Sequence, residues 1–314
     1  MNALAWSDWQ PVAPRLALTS ATLAETLDGG QAFRWRHTDG LWTGQWSAHV
    51  VQLRLDDTRL QWRAPAVSQT AVAAALSGYL AHEVDWAALT DSLPWRSDAH
   101  LAQCIAAFPG LRLLRQPFGE TLLGFLCSAT KQIVQIKQMV ALLAERHGLP
   151  LVDCRSGFMP RSSAAESRDK PAPTVVYRLP TWAELAAVPE KDLRQCLLGF
   201  RAKFIHASAQ YIAARPGWLE ETGHLPYAEA KARMLELPGV GEKVADCVLL
   251  FGAGKLEAFP VDTWVLKSLA RRYGLAGWKP AQVAHFGRTH FGPLAGLAQQ
   301  YLFAWERRHG RLAP

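Results

Sequence analysis

The chain is poor in cysteine, and its cysteines are not arranged as ligands. Five are scattered over 314 residues without a Cys-x-x-Cys pair. A disulfide framework needs an even, clustered set, and structural zinc or iron-sulfur sites need closely spaced ligand pairs. The sequence therefore predicts neither a disulfide-stabilised fold nor a metal site, and no cofactor is expected. Most of the cysteines are interpreted as small buried hydrophobes, namely Cys104, Cys127, Cys154 and Cys196.

The chain also lacks a long apolar segment. No window reaches the ~18 uninterrupted apolar residues of a membrane-spanning helix, and the start "MNALAWSDWQPVAPRLAL" has no basic segment followed by an apolar run. We therefore expect a soluble, non-secreted protein without a membrane partner. It would be cytoplasmic or nucleoid-associated in a bacterium and nuclear in a eukaryote. Internal repeats, which would indicate a solenoid or propeller, are also lacking.

What the chain has is enough apolar residues for a sizeable core and an excess of positive charge. Hydrophobic residues make up 49% and charged residues 19%, which predicts two or more folded domains at this length. Thirty-four Lys and Arg against 27 Asp and Glu give a net charge of +7. This balance favours a polyanionic partner such as nucleic acid or a membrane surface, although the signal is weak alone.

The apolar spacing changes along the chain. From 31 to 64, apolar and polar residues alternate with the period of two that a half-buried strand requires, and the short turns between the runs indicate antiparallel pairing. The alternating apolar residues are Phe33, Trp35, Val51, Leu53 and Leu55. Beyond Pro65 the spacing becomes helical. It is clearest at Ile133, Ile136, Val140 and Leu143.

These patterns predict an α+β protein with an N-terminal antiparallel sheet domain followed by an all-helical body. We place the sheet domain and its flanking helices at 1–108 and the helical body at 109–314. The Ser-, Pro- and charge-rich stretch 155–174 has the composition of a flexible insertion.

Residues 227–252 are expected to form a helix-hairpin-helix. Pro238 is predicted to stop the first helix, and the turn Gly239, Val240 and Gly241 lets the chain enter a second helix near Glu242. Phosphate oxygens can approach backbone N–H groups at such a glycine turn without reading base sequence. An ordinary helix connection explains a bare Gly-x-Gly equally well.

Lys243 and Asp262 are the candidate catalytic pair. The first turn of a helix disfavours an ammonium group, and a neutral amine is a nucleophile. Cys247 follows one turn later on the same face. Asp262 is placed to cap the next helix, and a chain that doubles back between the two helices would bring the carboxylate to the lysine. A solvated lysine and an ordinary N-cap are the competing interpretations.

The motif "LPGVGEKVADC" followed by "FPVD" resembles the helix-hairpin-helix DNA glycosylase superfamily. Within it, the chain is most similar to the 8-oxoguanine DNA glycosylases of the eukaryotic type, which also occur in bacteria. Four further segments match that family in order, so the resemblance covers most of the chain outside 155–174. They are "GQAFRWR" (30–36), "RLLRQPFGETLLGFLCS" (112–128), "LGFRAKF" (198–204) and "GPLAGLAQQYLFA" (292–304).

The resemblance implies a monomeric bifunctional enzyme acting on duplex DNA that contains oxidised guanine. Lys243 would attack the sugar C1′, expel the base and form a Schiff base, and Asp262 would stabilise the cationic sugar. The target base would be flipped into a pocket. There Gly30 would accept a hydrogen bond from the N7 hydrogen that distinguishes 8-oxoguanine from guanine.

The resemblance also identifies the remaining pocket residues. Cys247 and Phe303 would sandwich the flipped ring, Phe251 would line the pocket, and Gln299 would read the pairing edge. Because Gln300 adjoins Gln299, the sequence leaves the reading residue ambiguous by one position.

Several positions depart from the family pattern on the DNA-binding side. Thr130, Lys131 and Gln132 replace a run of asparagines that fills the gap left by the flipped base. Gln135 replaces an arginine that commonly reads the orphaned cytosine, while Arg201 keeps a second one. We expect a relaxed opposite-base preference, since loss of one charged donor reduces discrimination by ~1–3 kcal/mol.

Two aromatic residues also differ from the usual pattern, and both fall at expected DNA contacts. Trp264 replaces a histidine near a phosphate. Phe200 replaces a tyrosine and would wedge into the base stack. The basic pairs at 271–272 and 307–308 are interpreted as solvated helix faces.

Two other functions stay open from the sequence. One is a related glycosylase for another oxidised or alkylated purine, which the altered orphan-base contacts would accommodate. The other is a helix-hairpin-helix DNA-binding protein without catalysis, which would have no need of Lys243 and Asp262.

Overall fold

The computed structural model describes residues 5–13, 16, 18–57, 59–153 and 175–310. Within these ranges the strands are β1 (Gln10–Pro11), β2 (Trp35–Thr38), β3 (Leu41–Trp46), β4 (His49–Asp56), β5 (Arg59–Arg63), β6 (Pro150–Asp153) and β7 (Val175–Tyr177). The α-helices are α1 (Ser20–Asp28), α2 (Gln69–Tyr79), α3 (Trp86–Asp91), α4 (Ala99–Ala107), α5 (Phe118–Leu126), α6 (Ile133–His147), α7 (Trp182–Ala187), α8 (Glu190–Leu193), α9 (Arg201–Ala213), α10 (Trp218–His224), α11 (Tyr227–Met234), α12 (Glu242–Ala253), α13 (Thr263–Arg272), α14 (Pro280–Phe291) and α15 (Ala295–His309). In the described part of the chain no helix is long and apolar enough to span a membrane.

The predicted meander is confirmed as an antiparallel sheet in the order β1-β5-β4-β3-β2. The β2-β3 turn uses Asp39 and Gly40 with φ of 51° and 75°, the left-handed conformations of a tight hairpin turn. One face of the sheet packs against α1 and α2. Its buried side chains include Trp35, Val51 and Leu53, so period-two alternation was the correct signal here.

Phe33 is an exception to that alternation. The residue precedes β2, and its ring packs edge-on against Phe125 of α5 at 5.1 Å between centroids. Phe33 therefore belongs to the core of the helical body, while Trp35 belongs to the sheet core. The alternation prediction was wrong at Phe33, because an apolar residue just before a strand can pack equally well against the neighbouring layer.

The predicted helical body follows the sheet, and α5 and α12 pack against each other within it. The stripe predicted on α6 is confirmed at Ile136, Val140 and Leu143, all buried. Apolar residues of α3 and α4 also join this core. The boundary after residue 108 stays a prediction.

The cysteines interpreted as buried hydrophobes are buried at Cys104, Cys127 and Cys196. Burial raises the pKa of each thiol above its ordinary value, so they stay neutral and inert at physiological pH. Cys154 lies outside the described residues.

The helical body also contains a two-stranded ribbon that sequence spacing did not predict. β6 and β7 pair antiparallel, with Pro150 opposite Tyr177, and Arg178 N–H continues the pairing by donating to the Leu149 carbonyl at 2.9 Å. These strands are too short to show a period of two. The predicted insertion 155–174 falls between them and lies outside the described residues.

The first hairpin helix, α11, ends at Met234 rather than at Pro238. Glu236 N–H donates to the Arg233 carbonyl and Leu237 N–H donates to Met234. These i to i−3 bonds form a tight turn that satisfies the last carbonyls before the proline is reached. The second hairpin helix begins at Glu242 as predicted.

Candidate active site

Lys243 lies in the first turn of α12 and is half-buried. Its Nζ donates a hydrogen bond to Ser128 Oγ at 3.2 Å and lies 5.1 Å from the centroid of the Phe125 ring. Both partners come from the end of α5 and the residues after it. The amine is therefore held in a fixed position by a hydroxyl and an aromatic face rather than extended into solvent.

Cys247 is on the same face of α12, as predicted, and is 4% exposed. Burial raises the pKa of its thiol to about 12, against the lowering effect of the neighbouring Lys243 charge and hydrogen bond. The thiol stays neutral, so Cys247 offers a small, polarizable apolar surface beside the amine rather than a second nucleophile.

Asp262 caps α13, with Oδ1 accepting from the Trp264 and Val265 N–H groups at 3.0 and 2.8 Å. Burial raises the pKa of this carboxyl, while the Val265 N–H and the Lys243 charge act to lower it. The chain reverses direction after α12 through Gly254, whose φ is 67°. Asp262 is thus the N-cap of α13, as the sequence predicted, and its pairing with Lys243 stays a prediction.

Gly30 follows α1 in a turn with φ of 104°. A Cβ placed there would lie 3.3 Å from Ile133 Cδ1 and 3.6 Å from Phe303 Cε1. The structure therefore brings Gly30 and the partly exposed Phe303 together, although they are 273 positions apart in sequence.

The buried side chain of Gln31 fixes this turn. Its Nε2 donates to the Arg112 carbonyl at 2.9 Å, and its Oε1 accepts from Leu114 N–H at 3.0 Å. Gln116 then links the turn to the lysine helix, since its Nε2 donates to Gln31 O at 2.7 Å and its N–H donates to Phe251 O at 3.0 Å. Sequence reasoning found neither Gln31 nor Gln116.

The structure separates the two adjacent glutamines of α15. Gln299 Nε2 donates to the Pro260 carbonyl at 3.1 Å, and Gln300 Nε2 donates to Gln299 Oε1 at 2.6 Å. Gln299 and Phe303 are one helical turn apart and so share a face. The Gln300 amide therefore orients the Gln299 side chain, and which of the two reads the base stays a prediction.

Phe251 contributes to the site indirectly. It is 2% exposed, and its ring stacks on Phe125 with 5.6 Å between centroids and 18° between planes. Because Phe125 lies under the lysine amine, Phe251 supports the wall behind Lys243.

Arg201 lies near the predicted orphan-base residues and is 3% exposed. Its guanidinium donates to the Ala129 carbonyl, to the Leu198 carbonyl at 3.1 Å and to Thr130 Oγ1 at 3.0 Å. Thr130 has a φ of 56°, a strained conformation for a β-branched residue. Arg201 therefore stabilises the loop that follows Ser128.

The other residues on this side point outward. Phe200 is 49% exposed, and the Arg201 guanidinium lies 4.4 Å from its ring centroid. Lys131 and Gln132 are exposed. Gln135 is also exposed and caps α6, its Oε1 accepting from Gln132 N–H at 3.2 Å.

The two glycines of the hairpin turn lie in different surroundings. Gly239 has a φ of 82°, and a Cβ there would lie 2.6 Å from Phe204 Cβ. A Cβ at the exposed Gly241 would meet nothing within 4 Å, so this side of the turn is open. Val240 is buried, and its N–H donates to the Leu237 carbonyl at 3.1 Å.

Asp246 locks the two hairpin helices together, which sequence reasoning also missed. It is 1% exposed and accepts from Tyr227 OH at 2.7 Å and from Lys231 Nζ. Burial raises the pKa of this carboxyl against the lowering effect of Lys231. These bonds fix the orientation of α12 relative to α11 and hence the direction in which the Lys243 side chain points.

The basic pairs do not form freely solvated faces. Arg271 forms an ion pair with Glu306, and Arg307 and Arg308 form ion pairs with Glu25. The interpretation as solvated was wrong at Arg271, Arg307 and Arg308, because their acidic partners lie on other helices. It holds at Arg272, which is exposed.

Comparison with known proteins adds a family to this geometry. Residues 15–122 match the family described as 8-oxoguanine DNA glycosylase, N-terminal domain, and residues 123–289 match the HhH-GPD superfamily of base excision DNA repair proteins. The N-glycosylase/DNA lyase OGG1 of Arabidopsis thaliana is 32% identical, with 95% of this chain and 80% of that protein covered.

Two solved structures are similar over almost their whole length. One is Clostridium acetobutylicum 8-oxoguanine glycosylase/lyase in complex with double-stranded DNA containing cytosine opposite to 8-oxoG. It is 27% identical with a TM-score of 0.80, and 97% of this chain and 99% of that chain are covered. The other is MBOgg1 in complex with a low affinity DNA ligand, 27% identical with a TM-score of 0.81, and 97% and 100% covered.

Proposed function

Because the chain belongs to the HhH-GPD superfamily of base excision DNA repair proteins, as an 8-oxoguanine DNA glycosylase, we propose that it excises 8-oxoguanine from duplex DNA and then nicks the strand. The chain is thus a DNA glycosylase with lyase activity. The half-buried amine of Lys243, held on Ser128 Oγ beside the Phe125 ring in a chain similar to named N-glycosylase/DNA lyases, carries this proposal.

Lys243 acts as the nucleophile. The neutral amine attacks C1′ of the damaged nucleotide, the bond from C1′ to the base breaks, and the base leaves with a proton. The attached nitrogen loses a proton, which the departing base takes up. The C1′–O4′ bond then breaks, O4′ takes up a proton from solvent, and the nitrogen lone pair forms the C1′=N Schiff base. Abstraction of a C2′ proton then expels the 3′ phosphate. The hydrogen bond to Ser128 supports this role, since it orients the amine for in-line attack.

Asp262 stabilises the positive charge that develops on the sugar as the base leaves. Its Oδ1 is held by two backbone N–H groups, so the carboxylate is oriented before the reaction begins. Such preorganised charge is more effective in a partly desolvated site than in water. A DNA-binding protein without catalysis would have no need of a half-buried amine at Lys243 or of a preorganised, partly buried acid at Asp262, which argues against that alternative.

The flipped base binds between Phe303 and Cys247, next to Gly30. The Gly30 carbonyl accepts the N7 hydrogen of 8-oxoguanine, and Gln299 reads the pairing edge. Contact of the Gly30 turn with Phe303 supports this assignment, as does the buried, neutral thiol of Cys247. Guanine lacks the N7 hydrogen, and an unpaired buried acceptor costs roughly 1–3 kcal/mol.

The enzyme binds duplex DNA as a monomer. The turn at 239–241 grips the phosphate backbone through N–H groups, supported by the open surface at Gly241. Phe200 wedges into the stack, and 130–132, Gln135, Arg201 and Trp264 line the strand around the orphaned base. Arg201 contributes chiefly by shaping the loop at Thr130, given its internal bonds.

Borohydride trapping tests the chemistry. Wild-type protein incubated with a duplex containing 8-oxoguanine opposite cytosine is expected to form a covalent adduct when the imine is reduced. Lys243→Gln removes the nucleophile and is expected to abolish the adduct, whereas Lys191→Gln, which alters an exposed lysine of α8, is expected to trap like wild type. Failure of the wild type to release the base from any oxidised-purine duplex contradicts the proposed function.

A further inference from the structure

Glu25 of α1 is buried, with 2% of its surface exposed. Arg307 Nη2 donates to both of its carboxylate oxygens at 2.8 Å, and Arg308 Nε donates to Oε1 at 2.7 Å. A buried carboxylate is stable only when it is paired and hydrogen-bonded. Both arginines are in the last turn of α15, so Glu25 joins the beginning of the chain to its last described helix.

The backbone of Glu25 is connected to the Gly30 turn. Its carbonyl accepts the N–H of Gly29 at 3.0 Å, and a Cβ at Gly29 would lie 2.1 Å from that same oxygen. The backbone at Gly29, just before Gly30, therefore packs closely against the Glu25 carbonyl. On the other side of the contact, Phe303 precedes Arg307 by one helical turn and lies on the same face of α15.

Resting on the proposed function, we propose that Glu25 is a positioning residue for the lesion pocket. Its bonds to Arg307 and Arg308 hold α15 against α1, and this contact sets the separation between the Gly30 carbonyl and the Phe303 ring. A flipped 8-oxoguanine must stack on Phe303 and reach Gly30 at the same time. Both interactions are possible only at one spacing of the two helices.

Other anchors of the turn have a different effect. Lys137 of α6 pairs with Asp28 at 2.8 Å, and Gln31 bonds to the segment 112–114. These contacts fix Gly30 relative to α6 and the helical body, but they do not include α15. The ion pairs of Glu25 with Arg307 and Arg308 instead connect the Gly30 turn to α15, the helix that bears Phe303.

Glu25→Gln tests the inference by comparing two reactions of the same protein. An abasic site has no base to sandwich, so its cleavage uses Lys243 but not the spacing between Gly30 and Phe303. We expect single-turnover excision of 8-oxoguanine to fall by about tenfold or more, because misplacement by an ångström is that costly, while nicking of a preformed abasic duplex stays within about twofold. Arg307 and Arg308 are partly exposed, so they can be solvated and the variant is expected to fold.

Glu184→Gln is the matched control, because Glu184 also receives a two-pronged bond from an arginine, Arg178, at 2.6 and 2.8 Å. It is expected to lower neither reaction. Equal loss of both reactions in Glu25→Gln, or no loss in either, overturns the inference.

Amide hydrogen exchange without DNA gives a readout that does not depend on the substrate. Segment 26–33 is expected to exchange faster in Glu25→Gln than in wild type, and unchanged exchange refutes the positioning role. If the wild type does not excise 8-oxoguanine but segment 26–33 exchanges faster in Glu25→Gln, the proposed function is contradicted. The positioning of the Gly30 turn by Glu25 is then still supported.

Discussion

Gln135 and Arg201 show how single residues alter the expected reading of the orphaned base. The family resemblance predicts that Gln135 replaces an arginine, and the Gln135 side chain caps α6. Arg201 is committed to two carbonyls and a hydroxyl of its own chain. Neither position presents a free charged donor to a cytosine edge, which supports a relaxed preference.

We therefore predict excision rates of 8-oxoguanine opposite C, A, G and T that lie within about tenfold of one another. Gln135→Arg should add a donor to cytosine and raise the preference for C, while Gln138→Arg, on the same helix, adds equal charge and should not. Single-turnover excision on the four duplexes measures this. A strong bias to C in the wild type contradicts the prediction.

Asp262 is a residue at which the proposed function conflicts with stability. Since burial raises the pKa of its carboxyl, the folded state binds more protons than the unfolded state between the unfolded pKa, about 3.9, and the higher folded value. The contribution of Asp262 to the free energy of unfolding is therefore fully present below the unfolded pKa and is lost as pH rises to the folded pKa.

Asp262→Asn is neutral and still a good N-cap, so it is expected to be more stable than wild type at pH 7 while losing strand nicking. The difference in free energy of unfolding should shrink as pH falls towards 4. Urea unfolding at the two pH values measures it, and a variant less stable than wild type at pH 7 shows that the Lys243 contact outweighs the desolvation of the acid.

At the scale of elements, the turn between α11 and α12 contains two glycines with different roles. Gly239 combines a positive φ with the close approach of Phe204, whereas Gly241 has an ordinary φ of −101° and open space around it. Folding requires glycine at position 239, whereas at position 241 it favours glycine only mildly, because Gly241 is the N-cap of α12.

Gly239→Ala is expected to lower the free energy of unfolding by more than 1 kcal/mol, whereas Gly241→Ala, at the N-cap of α12, lowers it by only about 0.5 kcal/mol. We nevertheless expect Gly241→Ala to weaken duplex binding, because a methyl group there obstructs the approach of a phosphate. Urea unfolding and fluorescence anisotropy with undamaged duplex separate the two effects. Unchanged affinity in Gly241→Ala removes this turn from the DNA interface.

For the whole molecule, the site is assembled from segments that are distant in sequence. The Gly30 turn follows the N-terminal helix, Ser128 follows α5, Lys243 begins α12, Asp262 begins α13 and Phe303 lies on α15. Gln31, Gln116 and Glu25 tie the first of these to the others. The segment around Gly30 therefore belongs to the proposed site and is not only an attachment to the helical body.

The sequence by itself determined the features that depend on a few neighbouring residues. Alternation identified the strands of the meander, a three- and four-residue stripe identified α6, and Asp262 was correctly identified as an N-cap, because backbone hydrogen bonds and periodicity are local. The tertiary structure alone decided that Lys243 meets Ser128, that Phe33 leaves the sheet for the helical core, and that Glu25 receives Arg307. These contacts join residues tens to hundreds of positions apart, and they depend on how whole helices pack, which no local pattern specifies.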